Sequence, residues 1–229
     1  MLVVARNFPR TLHDLAQHIQ VLDFVELVRR FLYDQLPRRS DDTRTSSDVS
    51  LDECPLPTSK FSVFNSAVAT FYAPSDQSGI RGMKRERIRC VSTWRNQGER
   101  RDCALVVEDD TRPGMKGMSA VRVKLFFSFS YGQKTYPCAL VEWFKNYGAS
   151  PDKETGMWRV RPHMVGSGRS SQRLVTVVHL DSFLRGVHLL PVFGNRFLPT
   201  DFHFSYSLDA FEAFYVNKYS DHRAHEIIY

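Results

Sequence analysis

The amino-acid sequence predicts a mainly β fold, α+β overall: a bent antiparallel sheet or small barrel, preceded by a helical arm and followed by a C-terminal helix. Helical spacing of apolar residues is confined to the two ends of the chain. Between those ends, roughly six to eight short segments have the alternating pattern and turn spacing of strands. The chain lacks the regular alternation of strands with long helices that builds a parallel sheet. These three observations favour the antiparallel architecture.

Residues 1–36 predict a helical arm of two short helices. Thr11 is a favourable N-cap residue, and Asp23 followed by Glu26 resembles a capping box. Pro37 would end the second helix. Each cap precedes an apolar stripe on one helical face, formed by Leu12, Leu15, Ala16 and Ile19 and by Phe24, Leu27, Val28, Phe31 and Leu32. Such stripes normally cover a core, so we expect packing, with a partner-binding helix as the alternative.

A polar segment separates the arm from the rest of the chain. Residues 37–56 are rich in Ser, Asp, Thr and Arg and contain little that could be buried. This composition is typical of a flexible linker. We therefore divide the chain into the helical arm (1–36), the linker (37–56) and one β-rich domain (57–229).

The clearest strand pattern within the β-rich domain spans residues 119–131. Its polar face is interrupted only at Phe126, as in a half-buried strand. The next strand, around residues 135–144, is apolar on both faces and should lie more centrally. Roughly helical spacing in residues 207–219 predicts the final helix. The apolar face of the first of these strands consists of Val121, Val123, Leu125, Phe127, Phe129 and Tyr131.

The net charge of +6 is concentrated in one stretch. Residues 81–101 contain eight basic residues against Glu86 and Glu99, a surplus of six that equals the charge of the whole chain. This favours an anionic partner, either nucleic acid bound without sequence specificity or an acidic protein surface such as a chromatin component. A solvated strand face is the alternative. The candidate nucleic-acid-binding residues are Arg81, Lys84, Arg85, Arg87, Arg89, Arg95, Arg100 and Arg101.

Aromatic residues suggest two further hypotheses. Trp94 lies within the basic stretch and could stack on a base, although a buried tryptophan is more common. Other aromatic residues could form a cage for a methylated lysine, although most of them are expected in the core. The residues considered for this cage are Phe126, Tyr136, Trp143, Phe144 and Trp158.

Catalytic and metal-binding motifs are weak throughout. The glycines near lysines do not match a phosphate-binding loop, and no nucleophile elbow occurs. His179 and Asp181 are expected to form a structural hydrogen-bonded pair rather than a catalytic one. The remote alternative, a residual metal-dependent nuclease, would need Asp109, Asp181 and Asp221 to converge on a metal. We therefore expect no enzyme activity, no catalytic residue, no metal site and no cofactor.

Cysteine usage and hydropathy bear on location. The first residues lack the apolar core of a signal peptide, and no apolar run approaches the ~20 residues of a membrane span. Four cysteines without a Cys-x-x-Cys pair favour a reducing compartment over a disulfide framework: Cys54, Cys90, Cys103 and Cys138. These features predict an intracellular chain with no membrane partner.

The chain ends in YSDHRAHEIIY, for which a metal site and a structural fastening are both considered. His222 and His225 would share one side of a helix, but a metal would need a third ligand, such as Asp221 or Glu226. The spacing also differs from His-Glu-x-x-His. We favour the fastening, in which some residues pack on the barrel and others hydrogen-bond the chain end in place. The packing residues would be Phe214, Tyr215 and Tyr219, and the hydrogen-bonding ones Asn217, Asp221 and His222.

Four motifs stand in order between about Ser59 and the end of the chain: ALVEWF, GMWRV, VHLLPVFG and FYVNKYSDH. Together they resemble the C-terminal region of Plavaka-type transposase proteins, which belong to DNA transposons abundant in mushroom-forming fungi. The nuclease-like domain of that family would lie upstream, and no catalytic motif of the family matches this chain. The resemblance therefore implies a non-catalytic module of transposon origin. The strand order is also similar, at fold level only, to the bromo-adjacent-homology barrels of chromatin readers.

These features lead to two functional hypotheses. The first is an accessory module that associates with DNA or chromatin through the basic stretch, which predicts a nuclear location. The second is a protein-interaction or structural module that binds an acidic partner. The sequence predicts no particular oligomeric state.

Overall fold

The structure is a computed structural model that describes residues 4–37, 43–75, 79–96, 98–195 and 197–229. Its mainly β content, with helices near both ends, confirms the predicted fold class. No helix among the described residues is long and apolar enough to span a membrane. The described helices are α1 (Leu12–Ile19), α2 (Phe24–Gln35), α3 (Ser207–Ala210) and α4 (His222–Ile227). The described strands are β1 (Ser62–Phe64), β2 (Ser66–Tyr72), β3 (Met83–Val91), β4 (Arg100–Arg101), β5 (Cys103–Val107), β6 (Met118–Tyr131), β7 (Lys134–Asn146), β8 (Arg159–Pro162), β9 (Met164–Val165), β10 (Gln172–Arg173), β11 (Val175–His179), β12 (Phe183–Val187), β13 (Leu189–Pro191) and β14 (Phe214–Val216).

Nine of these strands form one antiparallel sheet that curls into a nearly closed barrel. The order is β12-β5-β6-β7-β8-β14-β13, with β1 also paired to β6 and β11 also paired to β7. Because β6 and β7 are longer than their neighbours, β5 and β1 occupy successive parts of β6, and β8 and β11 occupy successive parts of β7. A register shift between Val123 and Leu125 adds an irregularity of the kind that bends strands. These features let the sheet curve towards closure.

The helical arm packs on one face of the barrel. Phe24 of α2 meets Phe127 of β6 edge to face, with ring centroids 5.3 Å apart. Phe61 stacks on Phe129 with centroids 5.1 Å apart. All four rings belong to one buried apolar cluster that joins both helices to the sheet. The apolar stripes of the arm therefore serve packing, as the sequence predicts.

The two predicted helix caps have different outcomes. Thr11 Oγ1 accepts a hydrogen bond from the Asp14 amide at 3.2 Å, which confirms the first cap. Asp23 makes no side-chain cap hydrogen bond, so the capping box predicted with Glu26 is wrong. The Glu26 carboxylate instead pairs with Arg30, one turn further along α2, at 2.7 Å.

The polar segment after α2 contacts that helix within residues 43–56. Arg29 donates hydrogen bonds to the carbonyl of Leu51 at 2.6 Å and to the carbonyl of Cys54 at 2.9 Å. Residues 38–42 of the predicted linker lie outside the described residues. The division of the chain into arm, linker and domain stays a prediction. The carbonyls of Leu51 and Cys54, which a free loop would leave to water, are therefore hydrogen-bonded to the helical arm.

Strand β6 is buried on both faces over its first half, which differs from the half-buried strand predicted there. Arg122, assigned to the polar face, is only 5% exposed. Asp209 of α3 covers it through hydrogen bonds of 2.9 and 3.0 Å from Arg122 Nη1. Since Asp209 lies far along the chain, the local pattern of β6 could not reveal this cover. Strand β7 lies at the centre of the sheet, as its two apolar faces predict.

The C-terminal helix lies later than predicted. Residues 207–219 contain only the four-residue α3 and then strand β14, so the single helix expected there is wrong. Phe214 and Val216 are fully buried with period two, and β14 pairs with β13 on one side and β8 on the other. Pairing on both edges outweighs the weak helical spacing of this stretch. The C-terminal helix is α4, which is anchored by buried Ala224 and by Ile228 just beyond it.

Strands β2, β3 and β4 form a separate three-stranded sheet that lies against β12. The Gly186 amide of β12 donates a hydrogen bond to Glu86 Oε2 of β3 at 3.1 Å. A Cβ atom at position 186 would lie 3.0 Å from Glu86 Oε1, so glycine permits this close approach. The Arg185 guanidinium lies 5.0 Å from the centroid of the Phe71 ring on β2. These contacts place the small sheet beside the barrel and leave a concave surface between them.

The four cysteines are buried as free thiols. Burial raises the pKa of the Cys103 thiol to about 12 and also raises the pKa of Cys138. Both thiols are therefore protonated near neutral pH and poorly nucleophilic.

Candidate nucleic-acid interface

A groove of about 1020 Å³ runs along the small sheet where it adjoins the barrel. Its lining comes from β3, β4 and the hairpin tip between them, from β12, and from parts of the segments 204–208 and 220–221. Arg81 and Lys84 are not part of the lining. Arg81 lies in the exposed turn before β3, and Lys84 projects from the same face of β3 as Glu86. The predicted residues that do line the groove are Arg85, Arg87, Arg89, Arg95, Arg100 and Arg101.

Strand β3 separates its basic and apolar residues by simple alternation. Ile88 and Cys90 are buried towards the barrel, whereas Arg85, Arg87 and Arg89 lie on the opposite face. Residues two apart on a strand are about 6.6 Å apart, so the three guanidinium groups start from evenly spaced positions. The result is a row of positive charges along one wall of the groove, which we call the arginine row.

Trp94, at the hairpin tip, organises several of these arginines. The guanidinium carbons of Arg89 and Arg100 both lie 4.9 Å from a Trp94 ring centroid, and that of Arg95 lies 5.6 Å away. Arg95 and Asn96 have positive φ values of 53° and 60°, which turn the chain back after the tryptophan. Cation–π contacts of this kind hold the guanidinium groups in fixed positions. Trp94 therefore supports arginines in this structure, and its ring is already in contact with three of them.

Two of the predicted arginines already have acidic partners. Arg100 Nε lies 2.7 Å from Asp102, and Arg101 Nη2 lies 3.1 Å from Glu99. Arg101 also donates to the Cys90 sulfur at 2.9 Å and to the backbone carbonyl of Lys124. These contacts direct Arg101 towards the barrel.

The remaining arginines of the groove wall are available to a ligand. No described carboxylate forms an ion pair with Arg85, Arg87, Arg89 or Arg95. Arg87 donates a hydrogen bond to Ser66 Oγ of β2 at 3.0 Å, which leaves its charge uncompensated. The six predicted residues that line the groove therefore divide into four arginines without an ion-pair partner and the paired Arg100 and Arg101.

The floor of the groove contains two further arginines that the sequence did not indicate. Arg122 and Arg185 are only 5% and 3% exposed. Arg122 is held by Asp209, and Arg185 Nη1 donates to Asp221 Oδ1 at 2.9 Å. The Arg185 hydrogen bond is the main reason that the pKa of Asp221 lies below its usual range. Both arginines are isolated within apolar strand patterns, and their partners lie on remote segments, so no local signal could have identified them.

The charge balance of the lining is positive. The groove is lined by eight arginines and by four carboxylates, which belong to Glu86, Glu99, Asp102 and Asp221. Low-dielectric walls around one sign of charge focus the electrostatic potential into the groove. The arrangement can therefore concentrate an anion or a polyanion at this surface.

The C-terminal stretch makes structural contacts rather than clustering its ionisable groups. Asp221 caps α4 by accepting a hydrogen bond from the Ala224 amide at 2.8 Å, and it also bonds Arg185. The Asn217 side chain contacts His188 Nδ1 at 3.1 Å. The Tyr229 carbonyl, at the end of the chain, accepts a hydrogen bond from Met115 N–H at 3.2 Å.

The packing and hydrogen bonding expected for this stretch are only partly observed. Phe214 is buried and Tyr215 is partly buried, as expected for packing on the barrel. Tyr219 is 60% exposed and reaches only the Thr155 carbonyl with its hydroxyl, so its expected packing is wrong. His222 is also largely exposed and faces Glu226 at 3.4 Å within α4, so it does not bond the body of the protein.

The three carboxylates considered for a nuclease site each contact different residues. Asp109 accepts hydrogen bonds from Thr111, and Asp181 is largely exposed beside His179. His179 Nδ1 accepts a hydrogen bond from the Asp181 amide at 3.2 Å, which makes this pair a local cap. Within the described part of the chain, no group of three or more His, Cys, Asp or Glu side chains is arranged to hold a metal ion.

The aromatic residues considered for a cage lie in separate parts of the core. Tyr136 belongs to the cluster under the arm, Phe144 and Trp158 to the cluster under α4, and Phe126 to the cluster under the small sheet. Trp143 is partly buried and donates a hydrogen bond from Nε1 to a threonine of β11 at 2.7 Å. They do not form a cage, because each cluster buries its own rings.

Comparisons with models of protein families, with curated proteins and with solved structures found no match for this chain. The resemblance to Plavaka-type transposase proteins therefore stays a hypothesis drawn from the sequence motifs.

Proposed function

We propose that this chain is a non-catalytic module that binds nucleic acid through the groove beside the small sheet. The observation that carries the proposal is the set of four unpaired arginines on one wall: Arg85, Arg87, Arg89 and Arg95. An uncompensated row of this kind repels itself in the absence of a ligand and is neutralised by a polyanion. Evenly spaced charges suit the regularly spaced phosphates of a nucleic-acid backbone.

Backbone contacts of this type give affinity without reading sequence. The cation–π contacts around Trp94 favour binding further, because side chains that are already ordered lose less entropy when they meet phosphate. Guanidinium groups also bind phosphate oxygens through paired hydrogen bonds, which a lysine cannot do.

The sequence motifs support a biological setting for this binding. Their resemblance to the C-terminal region of Plavaka-type transposase proteins suggests a transposon-derived accessory module that associates with DNA or chromatin in the nucleus. The non-catalytic character rests on the same resemblance, since the nuclease-like domain of that family would lie upstream.

A second candidate ligand for the groove is an acidic protein surface, such as that of a chromatin component. It is favoured by the carboxylates that already pair with Arg100 and Arg101, because they show that this surface accepts Asp and Glu as ligands. An acidic peptide would use the same arginines, so competition experiments can separate the two candidates.

The proposal is tested by fluorescence anisotropy of the full chain with labelled oligonucleotides over a range of salt concentrations. Four neutralised phosphates predict that log Kobs falls against log salt with a slope of about −3 for a single strand and about −4 for a duplex. Polyglutamate of similar length serves as the competitor. Binding of polyglutamate without binding of any oligonucleotide at low salt would contradict the proposal and favour the acidic protein partner.

A further inference from the structure

An exposed aromatic side chain lies in the lining of the arginine groove. Phe204 is 59% exposed and lines the groove together with Trp94 and the arginine row. Singly exposed apolar side chains need no explanation, but Phe204 differs from exposed rings such as Phe197 because it lies in the groove lining beside the arginine row. The sequence pattern gave no sign of this residue, because Phe204 lies outside the basic stretch and outside every strand.

The position of Phe204 is fixed by its neighbours. His203 Nδ1 accepts a hydrogen bond from the Ser205 amide at 3.3 Å, which caps the 3₁₀ turn from Phe204 to Tyr206. The His203 and Phe204 ring centroids are 4.1 Å apart. A Cβ atom on Gly98, at the hairpin tip, would lie 3.9 Å from Ser205 Cβ, so this turn borders the tip. An ordered exposed ring therefore stands beside the basic wall.

A ring beside a row of positive charges distinguishes single strands from duplexes. Bases in a single strand can be unstacked and can present their faces to an aromatic side chain while the backbone follows the basic wall. In a duplex the base faces are covered by their neighbours, and separating one step costs a few kcal/mol. A basic wall alone would suit either form, so Phe204 provides the discrimination.

We infer that the groove is a binding site for single-stranded nucleic acid, in which Phe204 stacks on a base while the arginine row contacts the phosphates. This inference rests on the proposed function and adds to it the form of nucleic acid bound. Arg122 and Arg185 form the floor beneath these groups, and each is paired with a carboxylate.

The test compares the wild type with Phe204→Ala in anisotropy titrations of the full chain. The probes are a fluorescein-labelled oligothymidine, the duplex that it forms with oligoadenine, and an abasic strand of the same length. Stacking on one base predicts that Phe204→Ala weakens binding to oligothymidine about tenfold and binding to the duplex less than about twofold. Binding to the abasic strand should be unchanged, because that strand has phosphates but no base to stack.

The matched control is Phe197→Ala, which removes a fully exposed phenylalanine that does not line the groove. Its affinity for all three probes should equal that of the wild type. Phe204→Trp keeps a stacking ring and should retain the oligothymidine affinity.

Equal loss of affinity for oligothymidine and for the abasic strand would overturn the stacking role. Tighter binding of the duplex than of oligothymidine by the wild type would overturn the preference for single strands. Either result leaves the proposed nucleic-acid binding in place. Failure of the wild type to bind any probe at low salt would contradict both the proposed nucleic-acid binding and the preference for single strands.

Discussion

Replacing Asp221 with alanine is expected to lower the free energy of unfolding by about 3 kcal/mol. The change leaves the Arg185 guanidinium, which is 3% exposed, without its main partner, and it also removes the N-cap of α4. The expected loss is at the lower end for broken buried pairs, because the Asp221 side chain is itself about a quarter exposed and Glu86 still lies 3.5 Å from Arg185. Urea unfolding at pH 7 gives the measurement.

The same pair has a defined pH dependence. Because the pKa of Asp221 is lowered in the folded state, its stabilising contribution is complete above the ordinary carboxylate pKa of about 3.9 and is lost as the pH falls through the lowered value. The stability difference between wild type and Asp221→Ala should therefore shrink below about pH 4. Asp110→Ala removes an exposed carboxylate and serves as the control. An equal loss of stability in both variants would contradict the role of the pair.

Removing the arginine row in the triple variant Arg85→Ala, Arg87→Ala, Arg89→Ala is expected to weaken nucleic-acid binding about 30-fold at moderate salt. It should also reduce the magnitude of the salt slope by about 2, because three phosphate contacts of a single strand are lost. The three side chains lie on the face of β3 opposite the buried Ile88 and Cys90, so the free energy of unfolding should change little. Anisotropy titration over a salt series provides both numbers.

The matched control removes three exposed arginines outside the groove, in the variant Arg6→Ala, Arg10→Ala, Arg112→Ala. It has the same net charge as the row variant, so a general effect of charge would weaken both equally. If the two variants lose affinity alike, the binding depends on total charge and the groove is not the site.

Local sequence pattern was sufficient to predict much of this molecule. Period-two alternation predicted that Phe127 and Phe129 lie on the apolar face of β6, and both are buried against the helical arm. Apolar stripes predicted two helices that pack on the sheet. In each case the local sequence is enough for the prediction, because secondary structure fixes which side of an element a residue occupies.

The remainder of the site depends on contacts between distant segments. Arg122 and Asp209 are 87 residues apart in the chain, and Arg185 and Asp221 are 36 apart. The exposure of Phe204 likewise depends on where its turn meets the hairpin tip. The helix expected at residues 207–219 failed for a related reason, since two remote strands pair with β14.

Ultraviolet crosslinking of the full chain to a labelled single-stranded oligonucleotide, followed by peptide mapping, tests the central claim most directly. Aromatic side chains that contact bases form such crosslinks, and Phe204 lies in the groove lining beside the arginine row. The predicted result is that crosslinks concentrate in the peptide containing Phe204 and disappear in the arginine-row variant. Crosslinks confined to the helical arm or to other surfaces outside the groove would contradict the account.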